Sequence, residues 1–218
     1  MYEIKDKVVL VTGGTGGIGA EVVRKFLEDG AKHVAFLDIN EIRGNKMEEE
    51  LIAKYGEEKV KFHMCDITTE DLSVAFDNLV SQFKYIDIVI NAAGLLKDTA
   101  YVKCIQVNVT ALITSSLKAY DLMRKDRGGI GGTIINVSSV AALIDVPTVP
   151  IYSATKSAVL KFSNCLGMEH VFNRTGVRVI TVCFGLTDTE MVAFNRIEPF
   201  DSEMKDLLTI MSSGPKQT

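Results

Sequence analysis

The stretch VVLVTGGTGGIG, residues 8–19, constrains this chain more than any other. Val8 to Val11 are apolar without alternation, the pattern of a strand buried on both faces, as in a parallel sheet. Gly13, Gly14, Gly16, Gly17 and Gly19 follow directly. A helical period then begins, with Val22, Val23, Phe26 and Leu27 on one side and Glu21, Arg24, Lys25 and Glu28 on the other. Strand, glycine turn and helix in that order direct backbone N–H groups and the positive end of a helix dipole at one point, where a pyrophosphate can sit. The glycines satisfy G-x-G-x-x-G with Gly14, Gly16 and Gly19, and G-x-x-x-G-x-G with Gly13, Gly17 and Gly19. A glycine turn that only redirects the chain has the same composition, so the remaining sequence has to decide.

The strand–helix alternation continues. Apolar runs predict further strands at Val34–Leu37, closed by Asp38, and at Val60–Met64, Ile86–Ile90, Thr133–Val137 and Val177–Val182. Helical periods occupy 40–55, about 69–83 with Thr68 as its cap, about 100–125 and 151–173, with two short helices within 188–211. This is the pattern of a doubly wound parallel α/β sheet, a Rossmann fold, in a single domain over 1–218. Ligands of such sheets bind at the carboxyl ends of the strands. The polar and glycine clusters fall there: 13–19, Asp38, Asp66, 91–94, Ser138-Ser139 and 184–189.

Composition narrows the partners. The net charge is −4, which argues against nucleic acid or an anionic membrane surface as the main partner. No apolar run approaches the ~18 residues of a membrane span. The opening MYEIKDK has no apolar signal core, so a cytoplasmic location is expected. Cys65, Cys104, Cys165 and Cys183 lie far apart without a CxxC, and read as buried free thiols. His33, His63 and His170 show no metal-ligand spacing, so no metal is expected.

Asp38 stands nineteen residues after Gly19, at the end of the second strand. A carboxylate there accepts hydrogen bonds from both ribose hydroxyls of NAD and repels the additional phosphate of NADP. The glycine turn carries no Lys or Arg; Arg43 is nearby but is expected one helical turn further on. NAD is therefore the expected cofactor. Asp38 can alternatively cap the helix that begins near Asn40.

Thr12-Gly13-Gly14-Thr15-Gly16-Gly17-Ile18-Gly19, Asn91-Ala92-Ala93-Gly94, Asn108, Ser139 and Tyr152-Ser153-Ala154-Thr155-Lys156 together resemble the motif series of the short-chain dehydrogenases/reductases. The resemblance runs from about residue 5 to 195. Within the family the likeness is to the insect alcohol dehydrogenases and the NAD-dependent 15-hydroxyprostaglandin dehydrogenases. A second Tyr-x-x-x-Lys, Tyr55 to Lys59, sits among acids and has Ile42 thirteen residues upstream, where Tyr152 has Ser139. Residues four apart share a helix face, so Tyr152 and Lys156 can point together into the rim.

The residue types suit alcohol oxidation. A base must take the hydroxyl proton while a nicotinamide ring takes the hydride. A tyrosine with an ordinary pKa near 10 is a poor base at neutral pH. The Lys156 ammonium and a cationic nicotinamide favour phenolate, so the Tyr152 pKa is expected to fall. Ser139 can bond the substrate oxygen as charge develops. The resemblance implies that Lys156 also binds the nicotinamide ribose and that Asn108 holds a relaying water; Asn108 can otherwise be a helix-bending polar residue. It further implies cofactor contacts from Gly13, Thr15, Gly17, Ile18, Gly19, Asp38, Asp66, Ile67, Asn91, Ala92, Gly94, Gly185, Thr187 and Thr189.

The expected function is hydride transfer between NAD and a secondary alcohol or ketone. The region 186–211, the family's substrate lid, is rich in Met, Phe and Leu, which suits an apolar, lipid-like substrate or simple packing. The alternative is an NAD-binding protein without turnover. It draws on Phe184 in place of the family's proline before Gly185, and on a C-terminus shorter than the family's. No Val/Ile-rich strand follows residue 182, so six strands are expected without the family's seventh, leaving Val177–Val182 as an edge. The resemblance also implies a homodimer through the helices at about 100–125 and 151–173.

Overall fold

The computed structural model describes residues 3–189, 191 and 201–204. Six parallel strands, β1 (Val8–Thr12), β2 (His33–Asp38), β3 (Val60–Met64), β4 (Ile88–Asn91), β5 (Gly132–Ser139) and β6 (Val177–Phe184), form one sheet in the order β3-β2-β1-β4-β5-β6. The order reverses between β1 and β4, which pair from Val9↔Ile88 to Thr12↔Asn91. A crevice opens at such a reversal because the connections leave to opposite sides. Strand β6 is the edge among the described residues; the expected lack of a seventh strand concerns residues 196–218, most of which lie outside them.

The uninterrupted apolar run of β1 is explained by two cores. Val8 and Leu10 face α3 (Asp71–Phe83) and α5 (Leu112–Met123), packing with Phe76, Leu79 and Met123. Val9 and Val11 face α1 (Gly17–Glu28) and α2 (Glu41–Tyr55), packing with Val23, Leu27 and Met47. Each strand residue is buried on one side or the other, so no polar alternation is possible.

The helices depart from expectation in three places. The stretch 100–125 is not one regular helix: α4 (Tyr101–Ile105) widens into a π-turn at Gln106–Ala111 before α5 resumes. The stretch 151–173 is two helices, α6 (Pro150–Leu166) and α7 (Glu169–Thr175). Gly167 donates its N–H to Ser163 O and closes α6, and Met168 is extended. Thr68 does not cap α3: its N–H and hydroxyl both donate to Asp66, and Thr69 Oγ1 accepts the Asp71 N–H instead. Cys65 and Cys104 are buried, but Cys165 is exposed and Cys183 half-buried, so the thiols are not uniformly interior. The two short helices expected within 188–211 lie largely outside the described residues, which include a 3-10 turn at Ser202–Met204. Among the described residues no helix is long and apolar enough to cross a membrane, and no group of His, Cys, Asp and Glu has metal-binding geometry.

Candidate active site

A cleft of about 550 Å³ opens along the carboxyl ends of the strands. Its floor at one end is the glycine turn. Gly13 has φ +69°, and a Cβ there would stand 2.6 Å from Ala93 Cα; a Cβ on Gly19 would collide with Gly13 O. Two backbones thus approach where only glycine fits. Helix α1 is preceded by Gly16 at its N-cap, with no side-chain cap and no acid in its first turn. Its N–H groups are left for an anion from outside the helix. Gly17 and Ile18 line the cleft, and Thr189 from the segment after β6 lies against Gly17.

Asp38 ends β2 on the cleft wall. Its Oδ2 accepts the Thr15 N–H at 3.1 Å, tying the glycine turn, and its Oδ1 accepts the Asn40 N–H at 3.0 Å. The cap of α2 is Asn40, which accepts the Arg43 N–H. Asp38 therefore braces the turn and the helix entry together. Arg43 lines the same cleft, contrary to its expected distance, because it lies in the first turn of α2. Asp66 and Ile67 line the wall beside it. The Asp66 carboxylate is held below its ordinary pKa by the Thr68 hydroxyl and N–H, with Lys103 adding at 3.3 Å.

The middle of the cleft is walled by Ala92, Ala93 and Gly94. Asn91, expected here, lies beneath. Its side chain is buried and donates to Asn136 Oδ1 at 2.8 Å and Ser116 Oγ at 3.0 Å. Asn108 is also behind the wall. Its Oδ1 accepts the Leu95 N–H at 2.7 Å, and its Nδ2 donates to Leu95 O at 2.8 Å and Thr155 Oγ1 at 3.0 Å. Asn108 lies within the π-turn, and its amide clamps the loop at Leu95.

At the far end stand Ser139, Tyr152 and Lys156. Ser139 closes β5, and Tyr152 and Lys156 lie one turn apart on α6. The Ser139 side chain hydrogen-bonds the phenol and accepts the Ala141 N–H at 3.2 Å. Lys156 Nζ donates to Val137 O at 3.0 Å and lies 5.6 Å from the Tyr152 ring centre. Ser138 is buried at the cleft and donates its hydroxyl to Lys156 O.

Burial governs both titrations. It pushes the Tyr152 phenol up to about 12, outweighing the Ser139 hydrogen bond, and pushes the Lys156 ammonium down to about 8. The expected fall depends on a cationic nicotinamide beside Lys156; in the protein without it the phenol is pushed upward. Desolvation of a nine-tenths enclosed phenol exceeds what its protein neighbours offer.

The wall beyond Tyr152 was not legible in the sequence. Leu96, Ile144, Val146 and Val149 line it, with Leu186 and Met191 opposite. Gly185, Thr187 and Thr189 lie on the cleft, with Thr187 Oγ1 donating to Gly185 O. Most of the 186–211 segment lies outside the described residues. Asp98 was also missed: buried, it accepts the Ile151 and Tyr152 N–H groups.

Comparison with known proteins follows the same outline. The family model described as short chain dehydrogenase matches residues 7–199. The chain is 34% identical over 190 residues to a 15-hydroxyprostaglandin dehydrogenase [NAD(+)] of Mus musculus, covering 87% of this chain and 70% of that protein. It is 35% identical over 190 residues to alcohol dehydrogenase 1 of Ceratitis cosyra, covering 86% and 73%. A short chain dehydrogenase/reductase from Burkholderia phymatum, solved in complex with NAD, superposes with a TM-score of 0.80 at 20% identity, covering all of this chain and 83% of that one, a likeness of fold.

Proposed function

The chain belongs to the short-chain dehydrogenase family, and from that premise we propose that it interconverts a secondary alcohol and its ketone with NAD, using Tyr152 to carry the proton. The observation that carries this reading is the Ser139–Tyr152–Lys156 group, at the opposite end of the cleft from the glycine turn.

The residues fit the cofactor. The uncapped start of α1 and the glycine cradle suit a pyrophosphate, and the Asp38 carboxylate suits ribose hydroxyls. Asp66 and Ile67 flank the same end, where Thr189 lies against Gly17; Gly94 walls the middle, and Lys156, Gly185 and Thr187 also line the cleft. When bound, NAD supplies the acceptor for the hydride that leaves the carbinol carbon.

The protein's part is proton transfer and charge placement. The substrate oxygen is held by the Ser139 hydroxyl and the phenol. In oxidation the hydroxyl proton passes to Tyr152 Oη; in reduction it returns from there. With a phenol near 12, the protein alone holds Tyr152 protonated, ready to donate to a ketone. Taking a proton requires additional positive charge nearby. Lys156 and a cationic nicotinamide supply it, and the water-poor setting magnifies both. Asn108 acts from behind by holding Leu95, and with it the 92–96 wall.

The apolar wall of Leu96, Ile144, Val146, Val149 and Met191 supports an apolar substrate. A homodimer is supported by exposed Tyr101, Val102, Ile105, Leu117 and Leu122 on α4 and α5. The test is incubation of the protein with NAD and secondary alcohols of increasing chain length, following the absorbance of reduced cofactor. Turnover that improves with alkyl length is expected. NAD binding without turnover of any alcohol, or of the matching ketones with NADH, would select the binding-only alternative.

A further inference from the structure

The first turn of α6 lacks local means of satisfying its donors. Pro150 occupies the first helical position and has no N–H, and the preceding Val149 offers no side-chain acceptor. Ile151 and Tyr152 carry the N–H groups that remain. One carboxylate takes both: Asp98 Oδ2 accepts from Ile151 at 2.7 Å and Oδ1 accepts from Tyr152 at 3.0 Å.

Asp98 comes from fifty residues upstream and is 3% exposed. It begins the turn Asp98–Ala100, directly after the 92–96 loop that walls the cleft. That loop is gripped again by Asn108, through both main-chain groups of Leu95. The loop behind the cleft wall and the first turn of α6 are therefore joined by two short hydrogen bonds to one buried carboxylate, one of them to the Tyr152 N–H. Burying a carboxylate is costly, and its desolvation pushes Asp98 upward while the two N–H groups oppose the shift. A Ser or Asn in place of Val149 would cap the helix without that cost. What the distant carboxylate adds is a fixed relation between α6 and the loop.

We propose that Asp98 is a positioning residue, which holds the first turn of α6 against the 92–98 loop and so places the Tyr152 phenol in the cleft. The proposal rests on the Tyr152 reading above. It makes Asp98 act on the proton-transfer step with little effect on cofactor affinity, because its partners lie at the Tyr152 end and not at the glycine turn.

The test compares Asp98→Asn and Asp98→Ala with the wild type, well below their melting midpoints. Three quantities are measured: kcat and KM for the best alcohol, NADH affinity by fluorescence titration, and amide exchange by peptide. Displacement of a reacting group by even 1 Å is severe. We expect kcat to fall at least about tenfold with NADH affinity within about twofold, and exchange to rise in the peptide spanning 150–156 while the β1–α1 peptide stays protected. A wild-type kcat in the variants overturns the proposal. So does a loss shared equally by NADH binding and by protection throughout the molecule, the mark of a merely structural residue. Should neither variant fold, slow exchange of the Ile151 and Tyr152 amides in the wild type supports the anchor, and exchange at the rate of an open helix end overturns it. A wild type that binds NADH but turns over nothing fails the Tyr152 reading itself, which an active wild type with an indifferent Asp98→Asn does not.

Discussion

Tyr152 sits under opposing influences. Burial raises its phenol to about 12, a hydrogen bond from Ser139 lowers it, and the ammonium of Lys156 stands 5.6 Å from the ring. A group protonated at neutral pH must be ionised to accept a proton, so alcohol oxidation should accelerate with rising pH. We expect kcat/KM to climb about tenfold per pH unit on the acid side of the phenol's pKa in the loaded enzyme, while ketone reduction stays flat there. Tyr152→Phe should remove this limb and lower kcat by about 10²-fold or more, with NADH titration unchanged, since general acid–base catalysis is worth that much. A variant retaining a tenth of the rate contradicts the assigned proton carrier. Asp38 offers a second residue-scale test. Arg43 shares its cleft wall, so Asp38→Ser both removes a repulsive carboxylate and exposes an added phosphate to a nearby guanidinium. The ratio of kcat/KM for NADP over NAD should rise at least about tenfold, and further with Ile39→Arg. An unchanged ratio would place the ribose away from Asp38.

At the scale of elements, the π-turn at Gln106–Ala111 and the loop at 92–98 behave as one unit. Asn108→Leu leaves the half-buried Leu95 N–H without its acceptor and the Leu95 C=O with only the weak Cys104 Sγ–H donor. Each such group costs about 1–3 kcal/mol, so the melting midpoint should fall by several degrees even if a leucine fits the space. A midpoint within a degree of wild type would show that Leu95 finds other partners. The same elements show how far the sequence could be read. The helical period of 100–125 was visible, because it depends on residues three and four apart. The π-turn inside it was not, since it is fixed by what Asn108 meets across the chain. Asn91 and Asn108 were both legible as polar residues near the rim. Which side of the wall their amides occupy depended on Ser116, Asn136 and Leu95, residues with no local signature. The break between α6 and α7 had a visible cue in Gly167, yet a single glycine is compatible with a continuous helix.

At the scale of the whole molecule, the described residues leave an apolar surface on each side of the sheet layer. On the α1 side, Ile135, Arg178 and Ile180 with Ile4 and Phe26 line a shallow hollow over β5 and β6. On the other side, α4 and α5 carry an exposed apolar strip, with Tyr101 55% and Leu117 44% accessible. A strip of that kind favours self-association. Sedimentation of the wild type should show a dimer, and Tyr101→Glu with Leu117→Glu should give a monomer. A dimer that persists in the double variant would move the interface elsewhere. By itself the sequence determined the strand–helix alternation, the strands buried on two faces, the glycine turn and the Ser139–Tyr152–Lys156 spacing. These are properties of near neighbours, written in periods of two and 3.6 residues. Only the tertiary structure decided that Asp98 caps the Tyr152 turn, that Asn91 lies beneath the cleft, that Arg43 reaches it, and that burial pushes the phenol upward in the protein without cofactor. Those outcomes are set by desolvation and by hydrogen-bond partners brought together from distant parts of the chain, and neither exists until the sheet has closed over them.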